Sequence, residues 1–254
     1  MSWIDTHCHL DALEFDPDRD QVLEQLTIYN IEAAILPAVY FDEWSAIVAL
    51  NRQNPQCYPS FGFHPIYLAQ HQTKHLSHLK QWLLDYQAVA VGECGLDFYL
   101  PELEVQQQEQ WFIKQIRVAC DLDLPLIVHA RRSADAVLKC LKRFPSAKGV
   151  IHSFAGSTQQ AEYFIKQGFY LGVGGTITYE RAQRLRTAIQ TIPLEYLVLE
   201  TDAPDQPDSQ WRGKRNDLSR LPIIAQCLAE LRQTSLATIA TVTTANAKRL
   251  FKLP

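Results

Sequence analysis

The stretch Ile4-Asp5-Thr6-His7-Cys8-His9 opens the chain with a short apolar run that ends in two histidines. On extended backbone, residues at i and i+2 project from the same side, so His7 and His9 present their imidazoles together. Such a pair is ready to ligate a metal ion. Taken alone it is equally well two polar residues of a first loop, and the rest of the chain has to decide.

Seven more short β-branched or apolar runs follow the first, which covers 3–6. They lie at 33–38, 58–63, 88–92, 125–128, 149–151, 169–173 and 196–199. Between them fall stretches of helical period near 17–29, 41–53, 73–86, 104–122, 133–143, 157–167, 179–191 and 218–231, with further helix at 235–251. Strand then helix, eight times over, is the sequence form of a (β/α)8 TIM barrel, here one α/β domain over 1–254. An open doubly wound sheet is the alternative, but neither GxGxxG nor GxxxxGK[ST] follows the first run.

The ends of the runs carry the chemistry. The third ends in Gly62-Phe63-His64-Pro65, the fourth in Gly92-Glu93-Cys94-Gly95-Leu96-Asp97 and the fifth in His129-Ala130-Arg131. The sixth ends at His152 and the eighth in Glu200-Thr201-Asp202-Ala203-Pro204. Barrel enzymes build their sites at the C-terminal ends of the strands. Any one of these histidines could be a satisfied core residue, and Asp202 a turn residue. Several costly polar groups at one barrel end argue for a site instead. Mixed imidazole and carboxylate donors suit Zn²⁺, Mn²⁺, Mg²⁺ or Fe²⁺ rather than a thiolate structural site. His71, His75 and His78 lie in a polar helical stretch and read as solvated surface. Cys8 and Cys94 adjoin the donors but point away on regular strands, and read as packing residues.

Composition narrows the partners. The 254 residues carry 24 Lys+Arg against 28 Asp+Glu, a net charge of -4, so no global basic field holds nucleic acid and any polyanion must be gripped locally. Six scattered cysteines with no CxxC read as reduced thiols of a cytoplasmic protein. No export signal and no apolar run of membrane-spanning length is visible, and a monomer without a membrane partner is expected.

The ordered motifs quoted above, from residue 4 to about 217, resemble the TatD family of metal-dependent deoxyribonucleases, within the amidohydrolase-like metal barrels. Gln108, Phe112 and Gln115 also match its pattern. The resemblance implies two divalent ions (Mg, Mn or Zn), one held by His7, His9, Glu93 and Asp202. The second would be held by Glu93, as a bridge, with His129 and His152. Two ions about 3.5–4 Å apart activate water and clamp the oxygens of a phosphodiester displacement. Asp202 would then orient the water and accept its proton, Glu93 bridge the ions, and His64 contact phosphate or serve the leaving group. The implied activity is 3′-5′ exonucleolytic cleavage of DNA, at single strands or 3′ ends.

Substrate contacts are expected from His64, Arg131, Arg215 and Asn216, the last two within Trp211-Arg212-Gly213-Lys214-Arg215-Asn216. Tyr99 and Trp211 could stack on a base or simply pack, and Arg132 reads as a solvated loop residue. Two departures from the family pattern lie at the rim, Asp205 after Asp-Ala-Pro and Asp217-Leu218-Ser219 after Asn216. They leave room for a small-molecule amidohydrolase or lactonase on the same scaffold. A catalytically dead metal-binding scaffold is the third reading, and retention of all six ligand positions speaks against it.

Overall fold

The structure, a computed structural model, describes residues 1–254. Eight parallel strands follow one another round a single sheet: β1 (Trp3–Asp5), β2 (Ile31–Pro37), β3 (Cys57–Phe61), β4 (Ala90–Asp97), β5 (Leu126–Arg131), β6 (Gly149–Ile151), β7 (Phe169–Val173) and β8 (Leu197–Leu199). The ring closes where the Thr6 amide donates to the Leu199 carbonyl, 2.9 Å away. This is the (β/α)8 TIM barrel. The helices are α1 (Arg19–Ile28), α2 (Trp44–Gln53), α3 (Thr73–Asp85), α4 (Val105–Leu122), α5 (Ala134–Leu141), α6 (Thr158–Lys166), α7 (Gln183–Thr191), α8 (Leu221–Arg232) and α9 (Leu236–Phe251).

Two apolar cores hold these layers. The larger fills the shell between strands and helices, where Leu36, Val91 and Val128 meet residues such as Phe112, Ile116 and Phe164. Cys8 and Cys94 are fully buried in it. The smaller fills the inside of the barrel with Ile4, Ile35, Ala90, Ile127, Val150 and Val198, and α9 plugs its lower end with Ala247, Leu250 and Phe251. Burying a side chain such as Phe251 contributes about 1.5–3 kcal/mol. The barrel is therefore apolar below, and polar groups can face inward only at its upper end.

The inward series continues straight into the candidate donors. Two residues beyond Ile127 stands His129, two beyond Val150 stands His152, and four beyond Val198 stands Asp202. Strand β4 breaks the alternation. Its pairing with β5 shifts register between Val91 and Cys94. Strict alternation from inward Ala90 would turn Cys94 inward and Glu93 out; the shift sends Cys94 to the outer core and frees Glu93 to face the axis. Strand β4 also runs on to Asp97, five residues past the 88–92 run, because Gly95 to Asp97 stay paired with His129 to Arg131. Gly95 makes that pairing possible: its φ is +140°, and a Cβ there would run into the His129 carbonyl.

Candidate metal centre

At the upper end of the barrel the histidines of four strand ends converge on one carboxylate. Glu93 Oε2 lies 3.2 Å from His7 Nε2 and 3.7 Å from His9 Nε2. Its other oxygen, Oε1, lies 3.1 Å from His129 Nδ1, 3.2 Å from His64 Nε2 and 3.6 Å from His152 Nε2. Asp202 Oδ1 completes the first side, 3.4 Å from His7 Nε2 and 3.7 Å from His9 Nε2. The donor atoms group as His7, His9 and Asp202, as His7, Glu93 and His152, and as His64, Glu93 and His129. The structure thus draws His64, expected beside the ligand set, into direct reach of Glu93.

This chemistry fits divalent cations. His7 and His9 point their Nε2 atoms at each other across 3.2 Å, with oxygens of Glu93 and Asp202 alongside. Ring nitrogens and carboxylate oxygens gathered this closely, without a lysine or arginine among them, make a mixed nitrogen and oxygen donor set that suits a divalent cation.

Behind the donors stand groups that set their orientation. Asp97 Oδ2 lies 3.0 Å from His129 Nε2, so the ring turns Nδ1 toward Glu93. Glu200, fully buried, lies 3.3 Å from His152 Nδ1 and accepts from the Ser153 amide. Gln206 donates to Asp202 Oδ2. The amide of Gln108 on α4 bonds both the amide and the carbonyl of Asp97, at 2.7 and 2.9 Å. Gln115, two turns on, does the same to Phe63, at 2.8 and 3.1 Å. Helix α4 thereby clamps the ends of β4 and β3, and with them Asp97 and His64. Sequence reasoning passed over Asp97, Glu200 and Gln206. The first two are carboxylates inside the strand-end motifs, and that was the signal available.

Electrostatics divide the cluster. Burial alone would lower the His152 pKa, but the carboxylates of Asp202, Glu93 and Glu200 outweigh it and raise it to about 10. Burial pushes Asp202 up to about 7, against the pull of His152. His64 is pushed down to about 4 by burial, with Glu93 opposing.

The cluster floors a cavity of about 1360 Å³ walled by the loops that follow the strands. Arg131 and Arg132 border it, stacked 3.7 and 4.8 Å from the ring centre of Tyr99. Arg215 and Asn216 do not. Both guanidinium ends of Arg215 bond the Asp18 carboxylate, at 2.7 and 2.6 Å, with a further bond to the Glu14 carbonyl. Asn216 is buried and donates to the carbonyls of Thr201 and Asp205. Arg215 and Asn216 fasten the last loop, with both terminal nitrogens of Arg215 and the side-chain amide of Asn216 bonded within the chain. Trp211 is also off the cavity, packed under the Arg220 guanidinium 4.5 Å away.

The departures separate in the same way. Asp217 accepts from the Ser219 amide at a short helical turn, whereas Asp205 is exposed on the cavity wall. Only His78 of the three helical histidines is exposed. His71 bonds the His64 carbonyl at 2.8 Å and packs on Trp111, and His75 is buried against Phe41. A polar sequence context hid their aromatic partners.

A barrel with a carboxylate between two sets of imidazoles is the architecture of metal-dependent hydrolases. The sequence profile described as TatD related DNase matches residues 4–252, and the chain belongs to that family. It is 37% identical to a protein of Escherichia coli K12 named as an uncharacterized metal-dependent hydrolase, YjjV, over 99% of this chain and 98% of that one. The crystal structure of that protein superposes with a TM-score of 0.95. The chain is also 32% identical to a 3′-5′ ssDNA/RNA exonuclease, TatD, of Erwinia tasmaniensis, over 98% of this chain and 99% of that one. A TatD family hydrolase of Entamoeba histolytica, 19% identical, shares the fold with a TM-score of 0.86 over 100% of this chain. This chain is a metal-dependent hydrolase.

Proposed function

We propose that the chain, acting as one domain over 1–254, is a 3′-5′ exodeoxyribonuclease that uses two divalent ions. The observation that carries this reading is Glu93, whose two oxygens face two different donor sets. His7, His9 and Asp202 would hold one ion with Glu93 Oε2; His129 and His152, with His64 in reach, would hold the other with Oε1. Bound there, the ions (Mg, Mn or Zn) would supply an activated water and charge neutralisation at the phosphoryl oxygens.

The chain's own groups do the rest. Asp202, steadied by Gln206, accepts the proton of the attacking water. His64 lines the cavity 3.2 Å from Glu93, where it meets the phosphate or the leaving oxygen. Arg131, braced on Tyr99, positions the backbone of the substrate. The relative named as a 3′-5′ exonuclease supports the direction of attack. Six free cysteines fit a reducing cytoplasm, and a monomer suffices, since every proposed donor comes from one chain.

The test is a 5′-labelled single-stranded DNA oligomer given to metal-stripped protein, with Mg²⁺, Mn²⁺ or Zn²⁺ restored singly. Stepwise shortening that needs the ion and is lost in His7→Ala and Asp202→Asn is expected. An intact oligomer with loaded wild-type protein rejects the nuclease. The second reading, a small-molecule amidohydrolase or lactonase, is favoured by the carboxylates that share the cavity wall with the arginines. It predicts turnover of an uncharged lactone or amide by the same metal-restored protein.

A further inference from the structure

The closed strand order places the loop after β1 across the barrel from the loop after β5. Charges on the cavity wall follow this geometry. The loops after β8, β1 and β2 bring Asp205, Asp11, Glu14 and Glu43 to the cavity and no cation. The end of β5 and its loop bring Arg131 and Arg132, and the first turn of α7 brings Arg184, offset by Asp97 at the end of β4 and by Asp135, which Gln160 holds at 2.8 Å. Cations near the acidic side are turned elsewhere, Arg215 onto Asp18 and Arg19 onto Asp16 and the carbonyls of Leu10 and Ala12. Asp11 Oδ1 is shut off from solvent and has no hydrogen-bond partner, so it adds an uncompensated acidic group behind this wall.

We propose that this polarised wall selects the end of the substrate, binding an uncharged, hydroxyl-bearing terminal nucleoside against Asp11, Glu43 and Asp205 and the remaining phosphates against Arg131, Arg132 and Arg184. The inference rests on the nuclease reading and deepens it. A chain with its terminal hydroxyl free donates to the acidic wall, where Asp205 and Glu14 are exposed to the cavity. A terminal phosphate, or backbone continuing past the scissile bond, brings its charge against four carboxylates. The wall thus makes the enzyme act at ends, and only at ends that lack a phosphate. The same asymmetry reconciles a negative net charge with a polyanionic substrate, because only one half of the mouth has to welcome phosphate.

The test uses two 5′-fluorescein hexathymidylates that differ only in carrying a 3′-hydroxyl or a 3′-phosphate. Their three terminal linkages are phosphorothioates, which slow cleavage, and binding to the manganese-loaded protein is read by anisotropy. The hydroxyl-ended oligomer is expected to bind at least about tenfold tighter, some 1.4 kcal/mol. Asp11→Asn with Glu43→Gln should bring the two within about threefold by tightening the phosphate-ended one. Asp205→Asn, at an exposed position, should move the ratio in the same direction even if the double variant folds poorly. Arg131→Gln with Arg184→Gln should weaken both oligomers alike and leave the ratio. A phosphate-ended oligomer that binds wild-type protein as tightly as its partner overturns the proposal, as does a ratio that ignores both acidic-wall variants. Absence of binding by either oligomer overturns it too. Hydrolysis is read separately on the all-phosphodiester pair: if neither is cut while the binding order holds, the nuclease reading fails and the polarity stands.

Discussion

The Asp97 carboxylate lies 3.0 Å from Nε2 of His129 and leaves Nδ1 of that ring for Glu93. The strand that supplies Glu93 therefore also supplies the group that aims its neighbour, four residues further on. A carboxylate behind a metal-binding imidazole fixes the tautomer and raises the basicity of the other nitrogen, and its loss commonly lowers metal affinity by about 10–100-fold. Asp97→Asn should show a loss of that size in a Mn²⁺ titration, with the melting temperature of the ion-free protein little changed. Unaltered affinity would deny Asp97 this role.

Gly172 tests the other buried carboxylate. A methyl group at Gly172 would overlap Glu200, which lies 3.3 Å from His152 Nδ1. Gly172→Ala should destabilise the fold by about 1–3 kcal/mol through overpacking. It should also weaken metal binding by displacing Glu200, which Glu200→Gln should do at smaller cost to stability. Denaturant melts and metal titrations on both variants separate the two effects, and normal metal affinity in Gly172→Ala sinks the orienting role of Glu200.

Metal loading should release protons. In the ion-free protein His152 is raised to about 10 despite its burial, so it is charged at pH 7.5 and must lose its proton before it can ligate. Calorimetric heats of Mn²⁺ binding should then differ between buffers of high and low ionisation enthalpy by about one proton's worth. The sign for stability runs opposite to that for affinity. A raised histidine contributes its full stabilisation below its unfolded value near 6.5 and loses it as the pH climbs through about 10. Ion-free protein should grow less stable over that window while metal affinity rises. Heats that are independent of buffer contradict the charged state of His152.

Arg215 offers a negative control. Its guanidinium is bonded twice to Asp18 and stacked 4.7 Å from the ring centre of Phe15. Arg215→Ala should lower the melting temperature by a few degrees and leave oligomer affinity within about twofold, while Arg131→Gln weakens it several-fold. An equal loss of affinity in both variants would return Arg215 to the substrate.

The sequence by itself determined the architecture and the candidate donor residues. Eight apolar runs separated by amphipathic stretches point to a barrel, and a barrel sends the ends of its strands to one mouth; the resemblance to the TatD family then singled out His7, His9, Glu93, His129, His152 and Asp202 there as the expected ligands. Local patterning suffices there because periodicity and strand ends are properties of short segments. Tertiary structure decided what depends on partners distant in the chain. Strict alternation on β4 leaves Glu93 facing outward, and only pairing with β5 shifts the register that brings it in. Arg215 and Asn216 read as substrate contacts until Asp18, nearly two hundred residues earlier, and the Thr201 carbonyl take up their donors. His71 and His75 read as surface until Trp111 and Phe41 close over them. The two-sided charge of the mouth appears only when the ring closes, because Asp11 and Arg131 belong to opposite loops whose opposition no stretch of sequence records.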